Sequence, residues 1–257
     1  MTEGLSRYPG IDGRVAVVTG GSRGIGAALC RLLAELGASV VVNGRDEEVV
    51  NRMASGINEN GGKAHPVVAD VTDADAVAHL RAETERVFGP ADLLAAVAGV
   101  GGRPRPIQEV TPESWRKGIE GNLTSVFLTL REFLPGMEER RRGAVVTVSS
   151  TAGRLPFHPA VQYSAAKAGM LMLTREAASQ AAESGVRVNA LAPGTTMNDS
   201  IRANAGEEML DRMAKSFPLG RLGRPEDTAE AAAFLLSDAA SWITGVTLDV
   251  AGGKVML

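Results

Sequence analysis

Short apolar runs alternate along the chain with longer stretches that have a helical pattern. The runs are rich in β-branched residues and lack polar alternation, which is typical of strands buried on both faces of a sheet. Regular separation by helical segments indicates right-handed crossovers between parallel strands. The pattern therefore predicts a doubly wound α/β fold. The predicted strands are residues 14–19, 39–43, 64–68, 92–97, 144–149, 187–191 and 246–250.

The first predicted helix shows the helical spacing most clearly. Its apolar residues recur at i, i+4, i+7, i+8 and i+11, so one face should meet the sheet, and Gly37 should end the helix. These residues are Ile25, Leu29, Leu32, Leu33 and Leu36.

Composition fits one globular domain. The 257 residues are 44% hydrophobic and 22% charged, which is enough apolar side chain for a sizeable core. Neither a repeat nor a linker-like segment divides the sequence, so we expect a single domain over residues 1–257. The net charge of -3 provides no large basic field, and a nucleic-acid partner is not expected.

Cysteine and histidine usage narrow the chemistry further. Cys30 is the single cysteine, so an internal disulfide is excluded, a reducing compartment is favoured, and we interpret Cys30 as a packing residue. His65, His79 and His158 are far apart without a second ligand at metal spacing, so we expect no metal site. His158 is predicted either to contact substrate or to lie on the rim of the site.

The N-terminal residues lack the basic region and apolar run of a signal peptide. The sequence also lacks the ~18 consecutive apolar residues of a membrane span. We therefore expect a cytoplasmic protein without a membrane partner.

A glycine-rich turn follows the first predicted strand and leads directly into the first helix. It reads Thr-Gly-Gly-Ser-Arg-Gly-Ile-Gly over residues 19–26. Glycines let the backbone approach a pyrophosphate, whose charge a helix N-terminus attracts. The spacing Gly-x-x-x-Gly-x-Gly differs from the usual Gly-x-Gly-x-x-Gly, so a purely structural turn is the alternative. The predicted dinucleotide-binding residues of the turn are Gly20, Ser22, Arg23, Gly24, Ile25 and Gly26.

The end of the second predicted strand bears on the choice of dinucleotide. Gly44 stands where an acid would bind a ribose 2′-hydroxyl. Arg45 and Arg23 can instead converge on a 2′-phosphate, which favours NADP(H). The alternative is that Asp46 folds back to the ribose and Arg45 is only solvated, although Asp46 also has the position of a helix N-cap.

Three further segments are candidates for binding. Asp70 and Val71 follow the third strand, where they can bracket an adenine, and loop capping explains Asp70 almost as well. Residues 99–106 and 194–206 carry few regular signals and are predicted to be mobile loops at the ligand-binding edge of the sheet. We expect a substrate loop over about 194–215.

The most informative constellation is Tyr163 with Lys167, four residues apart and therefore on one face of a helix. Ser149-Ser150 closes the strand before them. Asn122 lies within the preceding helical segment, where an amide has little structural reason to be.

Taken in order, these motifs resemble the classical short-chain dehydrogenase/reductase family over nearly the whole chain. The family's serine stands thirteen residues before its tyrosine, which selects Ser150 over Ser149. The resemblance implies a single Rossmann-type sheet of about seven strands in the order 3-2-1-4-5-6-7, with helices on both faces. The matching positions are the turn at 19–26, Asn122, Ser150, Tyr163, Lys167 and Pro193-Gly194.

The resemblance also implies roles for these residues. Tyr163 would protonate the substrate oxygen as hydride arrives from the nicotinamide, and Ser150 would hold that oxygen. Lys167 would lower the pKa of Tyr163 and bind the nicotinamide ribose, and Asn122 would hold a water that relays protons. Further cofactor contacts are expected from Ala98, Gly99, Pro193, Gly194 and Thr196.

Two positions depart from the family's pattern. The family's Asn-Asn-Ala-Gly after the fourth strand is here Ala96-Val97-Ala98-Gly99, which removes two amides that brace the sheet or touch the cofactor. Asn198 replaces a threonine that contacts the nicotinamide carboxamide, so Asn198 or a neighbouring threonine would take that role.

The resulting functional hypothesis is an NADPH-dependent reductase that converts a ketone into a secondary alcohol, most like 3-oxoacyl-[acyl-carrier-protein] reductases. Its carbonyl substrate can be carrier-bound, and Arg103, Arg105 and the arginines at 140–142 can attract an acidic partner, although a solvated turn explains the 140–142 cluster as well. The alternatives are an NAD-dependent secondary-alcohol dehydrogenase and a non-catalytic NADP(H)-binding regulatory protein.

The helix that carries Tyr163 is apolar or small on nearly every side, so it should be buried all round. The family's habit of association implies a homotetramer, and burial by the chain's own loops is the alternative.

Overall fold

The computed structural model describes residues 7–102, 104–156 and 160–256. Within these ranges, seven parallel strands form one sheet in the order β3-β2-β1-β4-β5-β6-β7, which confirms the predicted fold class. Each predicted run is a strand, with ends shifted by at most two residues. The strands are β1 (Val15–Thr19), β2 (Ser39–Gly44), β3 (Lys63–Val68), β4 (Leu93–Ala96), β5 (Ala144–Val148), β6 (Arg187–Pro193) and β7 (Thr247–Val250).

Helices cover both faces of this sheet. Those in the described part of the chain are α1 (Gly24–Glu35), α2 (Glu47–Glu59), α3 (Ala74–Phe88), α4 (Pro112–Ile119), α5 (Ser125–Glu139), α6 (Val161–Ala181), α7 (Asp199–Asn204), α8 (Glu207–Lys215) and α9 (Pro225–Leu236). A π-helical segment, Glu120–Thr124, joins α4 to α5.

Burial on both faces explains the unbroken apolar runs of the central strands. Ala16 and Val18 of β1 point into a core shared with α1, α2 and α9. Val17, between them, points into a second core that is shared with α3, α5 and α6. Each core contains residues of the helices that connect one strand to the next. The sheet therefore lies between two layers of these connecting helices. Cys30 is fully buried in the first core, which confirms its packing role.

The segment at 194–206 differs from the prediction of an irregular loop. Asn198 caps α7 by accepting a hydrogen bond from the Ile201 backbone N–H at 2.9 Å, and α8 follows directly. The Asn198 cap was the sequence signal for this helix. The described part of residues 99–106 does lack helix and strand. None of the described helices is long and apolar enough to span a membrane.

The arginines at 140–142 are anchored at the N-terminal edge of the sheet. Arg140 donates to the Ala91 carbonyl at 2.6 Å, and Arg142 lies 3.2 Å from the Asp92 carboxylate just before β4. They are more than a solvated turn, and they lie at the edge opposite the ends of the strands where ligands collect in this architecture.

Candidate active site

The glycine-rich turn makes a close approach that side chains would block. Gly20 has a φ of +64°, and a Cβ there would lie 2.9 Å from the Ala98 Cα. A Cβ on Gly26 would lie 2.1 Å from the Gly20 carbonyl oxygen. Within the described residues, α1 begins without a side-chain cap, so its first N–H groups face the cleft. These features fit a bound pyrophosphate.

A cleft of about 640 Å³ opens along this turn at the carboxyl ends of the central strands. It brings together most of the predicted cofactor-binding residues, and it adds several others, among which only Asp46 and Asn198 were alternative cofactor contacts in the sequence-based prediction. The predicted lining residues are Gly20, Ser22, Arg23, Gly24, Ile25, Gly26, Arg45, Asp70, Val71, Ala98, Gly99 and Thr196. The additional ones are Asn43, Gly44, Asp46, Ala69, Thr72, Val97, Val100, Gly121, Met197 and Asn198.

Pro193 and Gly194, also predicted to contact the cofactor, end β6 beside this cleft. Gly194 lines a neighbouring cavity of about 310 Å³. A Cβ on Gly194 would lie 2.9 Å from the Phe217 ring, so the strand end packs closely on the segment after α8.

Both arginines predicted to recognise a 2′-phosphate lie beside the end of β2, each next to a carboxylate. Arg23 is 2.9 Å from Asp46, and Arg45 is 3.5 Å from Asp70. These side chains are exposed, so the two ion pairs are weak and the guanidiniums can reorient. Asp46 also accepts a hydrogen bond from the Val49 N–H, which confirms its role as the N-cap of α2.

Asp70 has the loop-capping role that the sequence left open. Its Oδ1 accepts hydrogen bonds from the Thr72 N–H at 3.0 Å and from the Thr72 hydroxyl at 2.8 Å. Burial raises the pKa of Asp70, but the hydrogen bonds from Thr72 and the charge of Arg45 outweigh burial, so the pKa is lowered overall. The carboxylate therefore stays charged beside the cleft.

Thr19, which the sequence did not single out as a binding residue, supports the loop after β4. Its buried hydroxyl accepts hydrogen bonds from the N–H groups of Val97 and Ala98 at 3.2 and 3.3 Å. The loop thus has a brace at the place where the family's two asparagines are missing. Asn43 acts similarly, because its amide donates to the carbonyls of Val67 and Ala69 at the end of β3.

Asn122 is fully buried in the π-helical segment and has a clear structural role, contrary to the prediction. Its Oδ1 accepts a hydrogen bond from the Val100 N–H at 3.2 Å, and its Nδ2 donates to the carbonyls of Val100 and Gly118 at 2.9 and 3.0 Å. The side chain therefore ties the loop after β4 to the start of α5. π-Helical turns of this kind are frequent at functional sites.

The predicted catalytic side chains Ser150, Tyr163 and Lys167 lie close together at the end of β5 and the start of α6. Lys167 Nζ lies 5.6 Å from the centre of the Tyr163 ring and donates to the Val148 carbonyl at 2.8 Å. The Ser150 hydroxyl lies close enough to Tyr163 to lower the pKa of that tyrosine. Ser149 instead points inward and donates to the Lys167 carbonyl, which supports the choice of Ser150.

The electrostatics of this group differ from the expectation. Burial lowers the pKa of Lys167 to about 7, so its ammonium is easily deprotonated. Burial also raises the pKa of Tyr163, and hydrogen bonding by Ser150 lowers it by less. The predicted lowering of the Tyr163 pKa by Lys167 is therefore wrong for this structure, because burial of the phenol outweighs the hydrogen bonding and raises the pKa overall.

The predicted substrate loop, residues 194–215, includes the helices α7 and α8, which follow the end of β6. The predicted contact residue His158, as well as Arg103, lies outside the described residues.

Comparisons with known proteins agree with this geometry. The family model described as enoyl-(acyl carrier protein) reductase matches residues 20–254. A cis-4-hydroxycyclohexanecarboxylate dehydrogenase of Sinomonas cyclohexanicum is 45% identical, with 93% of this chain and 96% of the relative aligned. A 3-oxoacyl-[acyl-carrier-protein] reductase of Vibrio cholerae is 38% identical, over 96% of this chain and 99% of the relative.

A solved structure extends the likeness to three dimensions. It is a 3-oxoacyl-[acyl-carrier protein] reductase of Brucella melitensis with bound NAD. It superimposes with a TM-score of 0.88 at 34% identity, and covers 100% of this chain and 97% of its own. With its glycine-lined nicotinamide cofactor cleft and its grouped serine, tyrosine and lysine, the chain is an oxidoreductase that belongs to the classical short-chain dehydrogenase/reductase family, and its relatives there include 3-oxoacyl-[acyl-carrier-protein] reductases.

Proposed function

We propose that the protein is an NADPH-dependent carbonyl reductase that converts a ketone into a secondary alcohol, with a 3-oxoacyl thioester as the first candidate substrate. The observation that carries this proposal is the grouping of Tyr163, Ser150 and Lys167 at the end of β5. A nicotinamide cofactor bound in the cleft supplies the hydride.

The side chains divide the remaining chemistry between them. Tyr163 keeps its proton at neutral pH, because burial raises its pKa, so it is ready to donate that proton to the substrate oxygen. Ser150 holds the same oxygen through its hydroxyl. Lys167, with a pKa near 7, can take up a proton and then stabilise the phenolate that remains after donation.

The end of β2 supports NADPH over NADH. A Cβ on Gly44 would lie 2.7 Å from Val50 Cγ2 and 2.9 Å from Ser22 Oγ, so an acid at this position would require both side chains to shift. Arg23 and Arg45 are exposed at the cleft, where their guanidiniums can pair with a 2′-phosphate instead of with Asp46 and Asp70. The alternative is an NAD-dependent alcohol dehydrogenase, and a relative with bound NAD favours testing it.

The relatives also provide a second substrate candidate. One of them acts on a hydroxylated cyclohexane carboxylate and shares 45% identity with this chain. A cyclic secondary alcohol and its ketone are therefore the substrates to compare with the thioester.

The test is NADPH consumption with a 3-oxoacyl thioester, a cyclic ketone and an aromatic quinone, beside NADH and a Tyr163→Phe variant. Turnover that disappears in the Phe variant supports the proposed mechanism. Turnover of the thioester supports the first substrate candidate, and turnover of only the cyclic ketone supports the second. Cofactor binding without turnover of any carbonyl, unchanged by Tyr163→Phe, would instead support the regulatory alternative.

Arg45→Ala tests the cofactor choice. Loss of a charged hydrogen bond of about 1.5–3 kcal/mol should weaken NADPH binding by about ten- to a hundred-fold and leave NADH binding nearly unchanged. Arg52→Ala is the matched control, because Arg52 is an exposed arginine on α2 that pairs with Glu48 outside the cleft. Equal loss of both cofactors in the Arg45 variant would contradict recognition of a 2′-phosphate.

A further inference from the structure

An ion pair joins the turn after Ser150 to the last strand of the sheet. Arg154 Nε lies 2.9 Å from Asp249 Oδ1, and Arg154 Nη2 donates to the Thr247 carbonyl at 2.9 Å. The two charged side chains are only 16% and 18% exposed. The pair thus connects β5 and β7, which are not neighbours in the sheet.

The turn between Ser150 and Arg154 is short and tightly held. The Gly153 N–H donates to the Ser150 carbonyl at 2.9 Å, and the Arg154 N–H donates to the Thr151 carbonyl at 3.0 Å. A Cβ on Gly153 would lie 2.7 Å from the backbone of Lys167, so the turn packs directly on α6. Because the turn has little internal freedom, a displacement of Arg154 moves Ser150 as well.

Stability alone gives a poor reason for this pair. Withdrawing two charges from water costs several kcal/mol per ion, and replacing a buried pair with apolar residues is often neutral or stabilising. Burial also raises the pKa of Asp249 by more than Arg154 lowers it. The position of the pair is more informative, because Asp249 also lines the cavity beside Gly194.

We propose that Arg154 is a positioning residue, which holds the Ser150 hydroxyl against Tyr163 by tying the intervening turn to Asp249. The inference rests on the proposed function for the role of Ser150 in the reaction. The geometric part, that Arg154 fixes the contact between Ser150 and Tyr163, is measurable without a substrate.

The tyrosine content makes that contact observable. The chain has two tyrosines, Tyr8 and Tyr163, so in a Tyr8→Phe background the ultraviolet phenolate signal belongs to Tyr163. Ser150→Ala removes the hydrogen bond that lowers the Tyr163 pKa and should raise that pKa. Arg154→Met should also raise the Tyr163 pKa. Lys167, whose Nζ lies 5.6 Å from the centre of the Tyr163 ring, is unchanged in every variant.

A double variant separates positioning from folding. Arg154→Met/Asp249→Leu leaves no unpaired buried charge, so it should keep the stability of the starting chain but show the raised Tyr163 pKa. Arg14→Met is the control, because Arg14 is also 16% exposed and lies 3.1 Å from Asp238, which is 55% exposed, at the amino-terminal ends of the strands. This control should lose stability without a change in the Tyr163 pKa.

Kinetics with the carbonyl that the wild type reduces provide the second readout. A misplaced Ser150 should lower kcat by up to about 100-fold in both Arg154 variants, with the KM for NADPH unchanged. If the wild type reduces no carbonyl, the proposed function fails while the phenolate titration still tests the positioning role. The proposal is wrong if Ser150→Ala raises the Tyr163 pKa but Arg154→Met and the double variant leave it unchanged.

Discussion

The buried amine of Lys167 makes the stability of the fold depend on pH. Burial lowers its pKa from the ordinary value of 10.5 to about 7. Between these two pH values the unfolded chain holds a proton on this lysine that the folded chain does not. The folded state therefore loses stability relative to the unfolded state as the pH falls through this window, and the loss is complete below the folded pKa.

Lys167→Met should remove this pH dependence. Each pH unit in the window corresponds to about 1.4 kcal/mol of unfolding free energy, so the wild type should lose stability relative to the variant from pH ~10.5 down to pH ~7. Urea denaturation of the wild type and the variant across this pH range measures the difference between their free energies of unfolding. Any packing change caused by the substitution is independent of pH, so it does not alter the slope of this difference against pH. Lys117→Met, at an exposed lysine of α4, is the control. Parallel curves for wild type and Lys167→Met would show that the lysine is not desolvated.

The predictability of the site depends on how far a residue's partners lie along the chain. Tyr163, Lys167 and the glycine turn lie in local motifs, so their spacing, together with the strands and helices next to them in the sequence, indicates them. Thr19 reaches a loop 78 residues away, and Arg154 reaches Thr247 at a separation of 93, and no local pattern reports such contacts. The directions of the pKa shifts of Lys167 and Tyr163 also could not be predicted from the sequence, because they follow from how deeply the folded chain buries these side chains.

Two helical glycines allow a matched test of how closely a helix packs on its neighbours. Gly26 lies in the first turn of α1, where a Cβ would lie 2.1 Å from the Gly20 carbonyl oxygen, whereas a Cβ on Gly56 in α2 would have none of the described non-helix atoms within 4 Å. Gly26→Ala should push α1 off the turn, reducing both stability and NADPH binding. Gly56→Ala should stabilise the fold by about 0.4–1 kcal/mol, because alanine restricts the unfolded chain. Urea denaturation and NADPH fluorescence titration measure both effects, and similar results for the two variants would contradict the close contact at Gly26.

The elements themselves were predictable to different degrees. The strands follow closely from the apolar runs, because a strand covered on both faces has only apolar positions to fill. The helices α7 and α8 were not predicted, since Asp199–Asn204 is short and α8 buries none of its residues in the described chain. The π-helical segment also gives no sequence signal, because its extra residue is accommodated by contacts of Asn122 with a distant loop.

For the whole molecule, two apolar surfaces remain without a partner from the described part of the chain. Phe127 of α5 is 46% exposed and Met172 of α6 is 53% exposed, so the chain's own loops leave α6 uncovered on one side. The second surface lies at β7, an edge strand of the sheet, near the fully exposed Trp242. Exposed apolar helix faces and open sheet edges are features that oligomers bury.

We propose that the protein is a homotetramer built from two isologous interfaces, one at each surface. Met172→Arg should then yield dimers, because a charge buried in one interface is costly while the interface at β7 is unchanged. Sedimentation equilibrium measures the mass of the assembly that the wild type and each variant form. Met209→Arg is the control, since Met209 of α8 is 54% exposed and lies outside both surfaces, and it should leave the tetramer intact. A monomeric wild type would contradict the proposal, and a Met172→Arg tetramer would show that the exposed face of α6 is not an interface.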